Sequence, residues 1–473
     1  MIINDIFRSR MNGAVVAFAA TLCASVSVGA QDSASATEAL SPSALEDKGA
    51  VEISAHKVWT LKDCLDYAEQ EGIDVALLKA QANQLHMDVM QQKGEWLPAV
   101  SASTSHSLNY SPFLKELAGM NVDKVTYNGS YGVNANWTVW NGNQTANNIR
   151  LAKLAAEKGD MQSEIYLNRI KEQATQLYVQ ILYTQEALKV NRELLEQDKT
   201  LYSRGEALYE LGQIARYELL ELQAQVANGQ YDIVSTETLL EQYKLQLKDL
   251  ISLPGEIPFE VATVDVSDEQ ALAVVPSTES VYAKALATRP EVRESEISIR
   301  QSELNYTLAK AGYLPTVGLT AGMGSNHSSG NHNDYFEQMK RSFDASVGLS
   351  VSVPIMDKRR TKAAVQKADI GRTIAKLDLD DLTGDLYYTV ANYRLQAVNN
   401  QQKFSSGITR VQYNQENYNA IYEKAHVGAL NIVETFNART SLLTARQDVL
   451  QSKYLTIYNM QMLSLYSGEE ITL

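Results

Sequence analysis

The chain has 473 residues, of which 45% are hydrophobic, and this length is sufficient for more than one folded unit. Glycine and proline are scarce, with 25 and 9 residues, a composition typical of long regular elements rather than loops. The formal net charge of −14 argues against a nucleic-acid-binding protein, which would need basic surfaces.

The N-terminus has the pattern of an export signal. Arg8 and Arg10 precede an apolar run over 11–28, and Val-Gly-Ala at 28–30 is a small-residue cleavage site. We therefore expect residues 1–30 to be a signal peptide. A membrane-spanning anchor is the alternative, although the run is short and rich in Ala, Ser and Gly.

The residues behind this signal give little structural information. Residues 31–57 are rich in Ser, Ala and Glu without clear periodicity and are predicted to be a flexible lead-in. After cleavage Cys64 would be the only cysteine, so we expect no intrachain disulfide even in an oxidising compartment.

Three landmarks recur along the chain at a nearly constant spacing of about 216 positions, which indicates an internal repeat. They are Leu97-Pro98 and Leu314-Pro315, Asn141 and Asp357, and Gly212 and Gly428. We therefore predict two copies of one structural unit, over 58–270 and 271–473.

Each copy contains long stretches with apolar residues at helical spacing. The predicted helical stretches are 60–96, 143–210 and 214–251 in the first copy, and 278–313, 358–425 and 430–466 in the second. Asn141 and Asp357 are predicted N-caps of the two longest helices. About 68 residues at ~1.5 Å each would make a rod of roughly 100 Å.

Four other segments alternate apolar and small polar residues, as strands with two different faces do. They are predicted strands at about 99–110, 129–140, 315–325 and 343–354. About 9–11 residues suffice to cross a bilayer at a tilt, which favours a transmembrane β-barrel. The alternative is an ordinary sheet over a small soluble core.

Large aromatic residues lie at one end of these strands, where an interfacial girdle is expected in a membrane barrel. They are Trp96, Trp137, Trp140 and Tyr313. Four strands cannot close a barrel, since the small known ones need about eight. Open edges are not tolerated in lipid, so we expect several copies of the chain to share one barrel above a helical cylinder.

In this order and spacing, the chain resembles the TolC family of outer-membrane efflux proteins over 58–470. The resemblance includes the two Leu-Pro strand entries, Val-Pro-Ile-Met-Asp at 353–357, and the helix turns at 209–214 and 425–430. It implies a mainly helical fold with a membrane β part, in which three chains share one barrel and one tunnel. It also implies a passive conduit in the outer membrane that extends into the periplasm and docks to a periplasmic adaptor and an inner-membrane pump.

The resemblance also assigns residues. The helix-turn tips, which would form the tunnel entrance and the adaptor-docking surface, are Leu211, Gly212, Gln213, Val427, Gly428 and Ala429. Glu434 matches an acidic ring at the constriction, Glu218 matches an acid in the first copy, and Asn437 replaces a second acid. Leu430 and Ala425 replace an Arg and a Tyr that tie the closed entrance together in some members. A solvated face near a helix N-terminus is the alternative for both glutamates.

No enzymatic motif is present. The six histidines show no metal-ligand spacing, and no nucleotide-binding or nucleophile motif occurs. We therefore expect no catalytic residue, cofactor or resident metal. Two other functions remain open: a self-sufficient porin and a secreted coiled-coil scaffold. The exported substrate is not predicted.

Overall fold

The computed structural model describes residues 57–110, 125–264, 266–331, 333–426 and 432–471. The predicted signal peptide (1–30) and all but the last residue of the predicted lead-in (31–57) lie outside the described residues. Val427, Gly428 and Ala429 of the second predicted tip also lie outside them. Residues Val58–Leu473 belong to one compact unit.

Helices dominate the described chain. Its first part runs through β1 (Val58–Trp59), α1 (Leu61–Glu71), α2 (Ile73–Gly94), β2 (Ala99–Tyr110), β3 (Val125–Trp140), α3 (Gln144–Glu210) and α4 (Arg216–Leu250). Its second part runs through β4 (Glu260–Val261), α5 (Asp268–Ala271), α6 (Thr278–Thr288), α7 (Pro290–Ala311), β5 (Thr316–Ser328), α8 (Tyr335–Arg341), β6 (Asp344–Ser352), α9 (Arg360–His426) and α10 (Ile432–Tyr466).

The long helices come in pairs of equal length. Helices α3 and α9 have 67 residues each, and α4 and α10 have 35 each. At ~1.5 Å per residue, α3 is about 100 Å long. These lengths match the predicted helices closely, while the duplication of the chain stays a prediction.

The predicted capping residues bond to the first turns of the long helices. Asn141 Oδ1 accepts the backbone N–H of Thr145 at 3.2 Å, and Asp357 Oδ2 accepts that of Thr361 at 2.6 Å. The residue directly before α3 is nevertheless Asn143, whose φ of 65° is left-handed. Asparagine adopts this conformation more readily than most residues, which allows the sharp turn from β3 into α3.

Two predicted helical stretches each consist of two helices. Gly72, with an extended ψ of 122°, separates α1 from α2. Arg289 is extended because Pro290 follows it, and it separates α6 from α7. In both cases an 11-residue helix precedes one of 22 residues. The short helix α8 between β5 and β6 was not predicted.

The four long strands form one antiparallel sheet in the order β2-β3-β5-β6. The pairing is continuous between neighbours, with one irregularity in β3 between Thr138 and Trp140. Strands β2 and β6 are the two edges, and all of their residues are exposed on both faces. The predicted strand starting near 129 begins at Val125, and the one ending near 325 extends to Ser328.

The helices pack around buried apolar clusters. One cluster joins α3, α9 and α10 through Leu194, Tyr418 and Leu442. In the segment that follows α4, strand β4 pairs in parallel with β1, and Trp59 is buried against Phe259. Among the described residues, no helix contains a stretch apolar enough to span a bilayer.

Candidate channel entrance and membrane interface

Residues 211–215, here called the entrance turn, connect α3 to α4. The backbone N–H of Gln213 donates to Leu208 O, and that of Gly212 donates to Tyr209 O, both at 2.9 Å. This is the Schellman pattern, which requires a left-handed residue after the helix. Gly212 supplies it with a φ of 71°, so the sharp helix-to-helix turn follows directly from a glycine at this position.

The surface around the entrance turn is apolar and exposed. Leu211 is 71% exposed and Tyr217 is 68% exposed, and Leu220 on the next turn of α4 is also exposed. Large apolar side chains gathered at an exposed turn are typical of a protein–protein contact. The predicted tip residues Leu211, Gly212 and Gln213 therefore lie where a partner could reach them.

Glu218 has a local structural role. Its carboxylate accepts the backbone N–H of Ala215 at 2.8 Å, three residues earlier, and so caps the start of α4. A carboxylate in the first turn also interacts favourably with the helix dipole. The alternative interpretation of Glu218 as a helix-start acid thus has a direct contact in support. The acidic constriction in the first copy stays a prediction.

Glu434 and Asn437 lie on one exposed face at the start of α10. They are one turn apart, so both side chains point in the same direction. Lys424 near the end of α9 places its Nζ 3.8 Å from Glu434 Oε1, a weak contact between exposed groups. Leu430 lies outside the described residues.

A buried charged cluster, here called the brace, connects three helices. It lies in the part of α3 that leads to the entrance turn. Arg439 of α10 donates from Nε to Asp198 Oδ1 of α3 at 2.9 Å, and its Nη2 lies 2.6 Å from Oδ2, off the hydrogen-bond direction. Gln225 of α4 donates to Oδ1 at 2.7 Å. The Asp198 side chain is only 1% exposed. The brace therefore fixes α10 to the α3–α4 pair.

Burial dominates the electrostatics of the brace. Burial raises the pKa of the Asp198 carboxyl, while the Arg439 guanidinium and the Gln225 amide act in the opposite direction. Burial also raises the pKa of Tyr418 to about 12, with a further contribution from Asp198. Gly229 of α4 faces this cluster, and a methyl group there would lie 3.7 Å from both Asp198 Oδ2 and Arg439 Nη2. The sequence alone did not indicate the brace.

The four predicted girdle residues lie at the same end of the sheet. The register pairs Ala99 with Asn136 and Val317 with Trp140, so Trp96, Trp137, Trp140 and Tyr313 all lie near the helix end of the strands. The indole N–H of Trp137 donates to the carbonyl of Trp96 at 3.0 Å. All four side chains are exposed in the single chain. Their contact with lipid stays a prediction.

No metal centre built from three or more His, Cys, Asp or Glu side chains occurs in the part of the chain that the structure describes. Cys64 is buried. The described part of the chain offers an exposed turn, an acidic helix start and a sheet with two open edges.

Comparison with known proteins agrees with this architecture. The family model described as "Outer membrane efflux protein" matches residues 65–252 and 281–469. The chain is 23% identical to the alkaline protease secretion protein AprF of Pseudomonas aeruginosa over 68% of its own length and 65% of that protein, so it spans just under two thirds of this relative. It is 22% identical to the outer membrane protein TolC of Vibrio cholerae, over 84% and 88% of the two chains.

A crystal structure of CusC superposes with a TM-score of 0.75 at 17% identity, covering 87% of this chain and 92% of that one. At this identity the likeness shows a shared fold. The family match covers most of the chain, which confirms the resemblance predicted from the sequence and the predicted location in the outer membrane. The chain belongs to the outer membrane efflux protein family.

Proposed function

We propose that the protein is the outer-membrane channel component of a tripartite efflux or type I secretion system. It would act as a passive conduit across the periplasm, with transport driven by an inner-membrane pump. The names of its relatives support this: AprF is a secretion protein, and CusC is a cation efflux system protein. Neither name defines the substrate of this chain.

The four-stranded sheet is the observation that carries the proposal. Its outer strands β2 and β6 have no partner on their outer edges within the described chain. One face bears apolar residues, including Val100, Val133, Leu319 and Val347, and the other bears mainly small polar residues. A sheet of this kind can enter lipid only if its edges are paired.

Pairing between copies would satisfy both edges. If β2 of one chain pairs with β6 of the next, three chains of four strands each close a twelve-stranded barrel. The apolar face would then contact lipid and the small polar face would line the lumen. The homotrimer and the two structural copies, 58–270 and 271–473, are part of this proposal. The two segments matched by the family model support the two copies.

The helices would continue the lumen into the periplasm. With about 100 Å of α3 and α9 below the sheet, the entrance turn would lie at the far end of the tunnel. We place the adaptor-docking surface there, on the exposed Leu211 and Tyr217. Glu434, repeated in three chains, would form an acidic ring that attracts cations and repels anions.

Co-purification tests the docking surface. The double variant Leu211→Ser/Tyr217→Ser should lose the periplasmic adaptor while keeping its trimeric state in detergent. Val274→Ser is the matched control, because Val274 is an apolar residue 92% exposed in the segment between α5 and α6. Equal adaptor recovery with the double variant and the control would overturn the docking assignment.

The two alternative functions predict different results. A self-sufficient porin would conduct in a planar bilayer and would never co-purify with an adaptor or a pump. A secreted scaffold would be recovered in the aqueous fraction without detergent. The 67-residue helices favour the efflux channel, since a porin has no need of them.

A further inference from the structure

A strongly basic turn connects the last strand of the sheet to α9. Residues 358–362, here called the basic turn, have the sequence Lys-Arg-Arg-Thr-Lys and directly follow the Val-Pro-Ile-Met-Asp segment. Four cations in five residues stand out in a chain whose formal net charge is −14. All four are exposed, and within the described residues none of their side chains forms an ion pair or a hydrogen bond. The basic turn therefore presents unpaired positive charge to its surroundings.

The basic turn lies at the girdle end of the sheet. Strand β6 ends one residue after a row that joins the girdle residue Trp140 to Val317 and Val317 to Val351. Within the turn, Thr361 Oγ1 donates to the carbonyl oxygen of Gly312 at 3.5 Å, and Gly312 directly precedes the girdle tyrosine. Both the strand before the turn and the helix after it thus hold the four cations near the predicted aromatic girdle.

Two large apolar residues precede the basic turn and are almost uncovered in the single chain. Ile355 is 95% exposed and Met356 is 91% exposed. Apolar side chains beside a group of cations are typical of segments at the surface of an anionic membrane. In such segments the apolar groups enter the boundary between headgroups and acyl chains, and the cations attract the charge of the lipid.

The backbone of the turn is unfavourable for the residues that it carries. Lys358 and Arg359 have φ angles of 55° and 67°, in the left-handed region. At the corresponding turn of the first predicted copy, Gly142 and Asn143 have φ angles of 68° and 65°. Glycine and asparagine tolerate this conformation much better than lysine and arginine do. Disfavoured backbone conformations gather at functional sites, which indicates a role for the two cations outside the stability of the fold.

We propose that the basic turn binds the headgroups of anionic phospholipids in the membrane leaflet that faces the periplasm. Guanidinium and ammonium groups donate charge-assisted hydrogen bonds to phosphate, and each Lys or Arg near an anionic surface adds to the attraction. The side chains supply this charge, because the first-turn amide of Thr361 is already bonded to Asp357. The lipid site rests on the proposed function, since the girdle end of the sheet meets this leaflet only in a membrane-spanning barrel.

Native mass spectrometry of the full-length protein in detergent tests the lipid site, because one spectrum gives both the mass of the assembly and the number of bound lipids. The probes are phosphatidylglycerol and phosphatidylcholine with the same acyl chains, titrated separately. The parent protein should bind phosphatidylglycerol more tightly. Lys358→Gly/Arg359→Asn and Arg360→Gln/Lys362→Gln should each lower this preference by at least about fivefold, the effect expected of one cation near an anionic surface.

The first double variant also separates lipid binding from folding. It introduces the residue types of the first-copy turn, which suit a left-handed backbone. It should therefore unfold at a higher temperature than the parent protein while it binds phosphatidylglycerol less tightly. A misfolded variant would not give this combination. The matched control is Lys376→Gln/Lys403→Gln, which removes two exposed cations of α9 away from the turn and should keep the parent preference.

The outcomes distinguish the lipid site from the shared barrel. A parent trimer without a preference for phosphatidylglycerol, or an equal loss in the control variant, would overturn the lipid site. Double variants that dissociate with the preference intact would assign the basic turn to a contact between chains and would overturn it as well. Parent monomers that show the preference, lost in both double variants, would support the lipid site and contradict the shared barrel.

Discussion

Removing the positive charge of the brace should loosen the helices near the entrance. The perturbation is Arg439→Met, which keeps the length of the side chain and its packing but leaves the Asp198 carboxylate without its cation. Gln225 still donates one hydrogen bond. Because the Asp198 side chain is only 1% exposed, water cannot replace the lost guanidinium.

The magnitude follows from this burial. Breaking a buried ion pair by removing one partner costs about 3–5 kcal/mol. Replacing both partners with apolar residues, as in Asp198→Leu/Arg439→Met, often costs little. The matched control is Glu193→Gln, which breaks an exposed ion pair between the same two helices. In this pair Arg446 Nη1 lies 2.9 Å from Glu193 Oε2. An exposed pair is worth about 0–1 kcal/mol.

Native-state hydrogen exchange of the assembled protein is the appropriate assay, since it reports local opening without global unfolding. In Arg439→Met, protection around the brace in α3 and α10 should fall by about two to four orders of magnitude, because each 1.4 kcal/mol is tenfold. Burial raises the pKa of the Asp198 carboxyl, and in Arg439→Met no guanidinium opposes this effect. The loss of protection in this variant should therefore shrink as the pH falls through the raised pKa, because the protonated carboxyl carries no charge. A loss no larger than that of Glu193→Gln, or equal losses in the single and double variants, would refute this reasoning.

Three further predictions concern the entrance and the long helices. In planar bilayers Glu434→Gln should reduce cation preference and Asn437→Asp should increase it; an unchanged preference in both would argue against the acidic ring. Tyr418→Phe should flatten the loss of thermal stability between pH 10 and 12, measured by circular dichroism. In the folded protein the pKa of Tyr418 is about 12, above the ordinary 10.0. As the pH rises from 10 to 12 the unfolded chain ionises first, so the wild type loses up to about 3 kcal/mol of stability. Exposed Tyr231→Phe is the control. Gly212→Ala should destabilise the entrance turn by about 1–2 kcal/mol, because alanine disfavours the left-handed backbone at this position. Proteolysis at the turn should therefore increase, and an unchanged cleavage rate would contradict the role of this glycine.

The regular elements could be predicted from the sequence because their signals are local and repeated. Helix α3 repeats its apolar spacing over 67 residues without proline, and β2 alternates over twelve. The interruption at Gly72 was missed because a single glycine within a helical pattern is often tolerated. The short helix α8 was missed because its few residues carry too little periodicity.

The brace could not be predicted in the same way. Asp198 and Arg439 are 241 positions apart, and each alone is an ordinary charged residue of an amphipathic helix. Contacts between distant segments depend on packing that a single sequence does not specify.

The interface between chains can be probed directly by disulfide formation across the sheet edges. In a Cys64→Ala background, one cysteine replaces Ser101, Ser103 or Ser105 in β2 and another replaces Ser346 or Ser350 in β6. Ser101 and Ser346 lie at opposite edges in one row and on one face of the sheet. A disulfide requires Cβ atoms about 3.5–4.5 Å apart, so only edges that pair between chains can form it. Ser101→Cys/Asn134→Cys, an adjacent pair within one chain, is the control that should give monomers only.

The shared barrel is the central claim, and the number of chains joined in oxidised outer membranes tests it most directly. We expect at least one β2–β6 combination to give a covalent trimer on a non-reducing gel, with no larger species because the ring is closed. Monomers in every combination, or an open ladder of longer oligomers, would contradict the shared barrel.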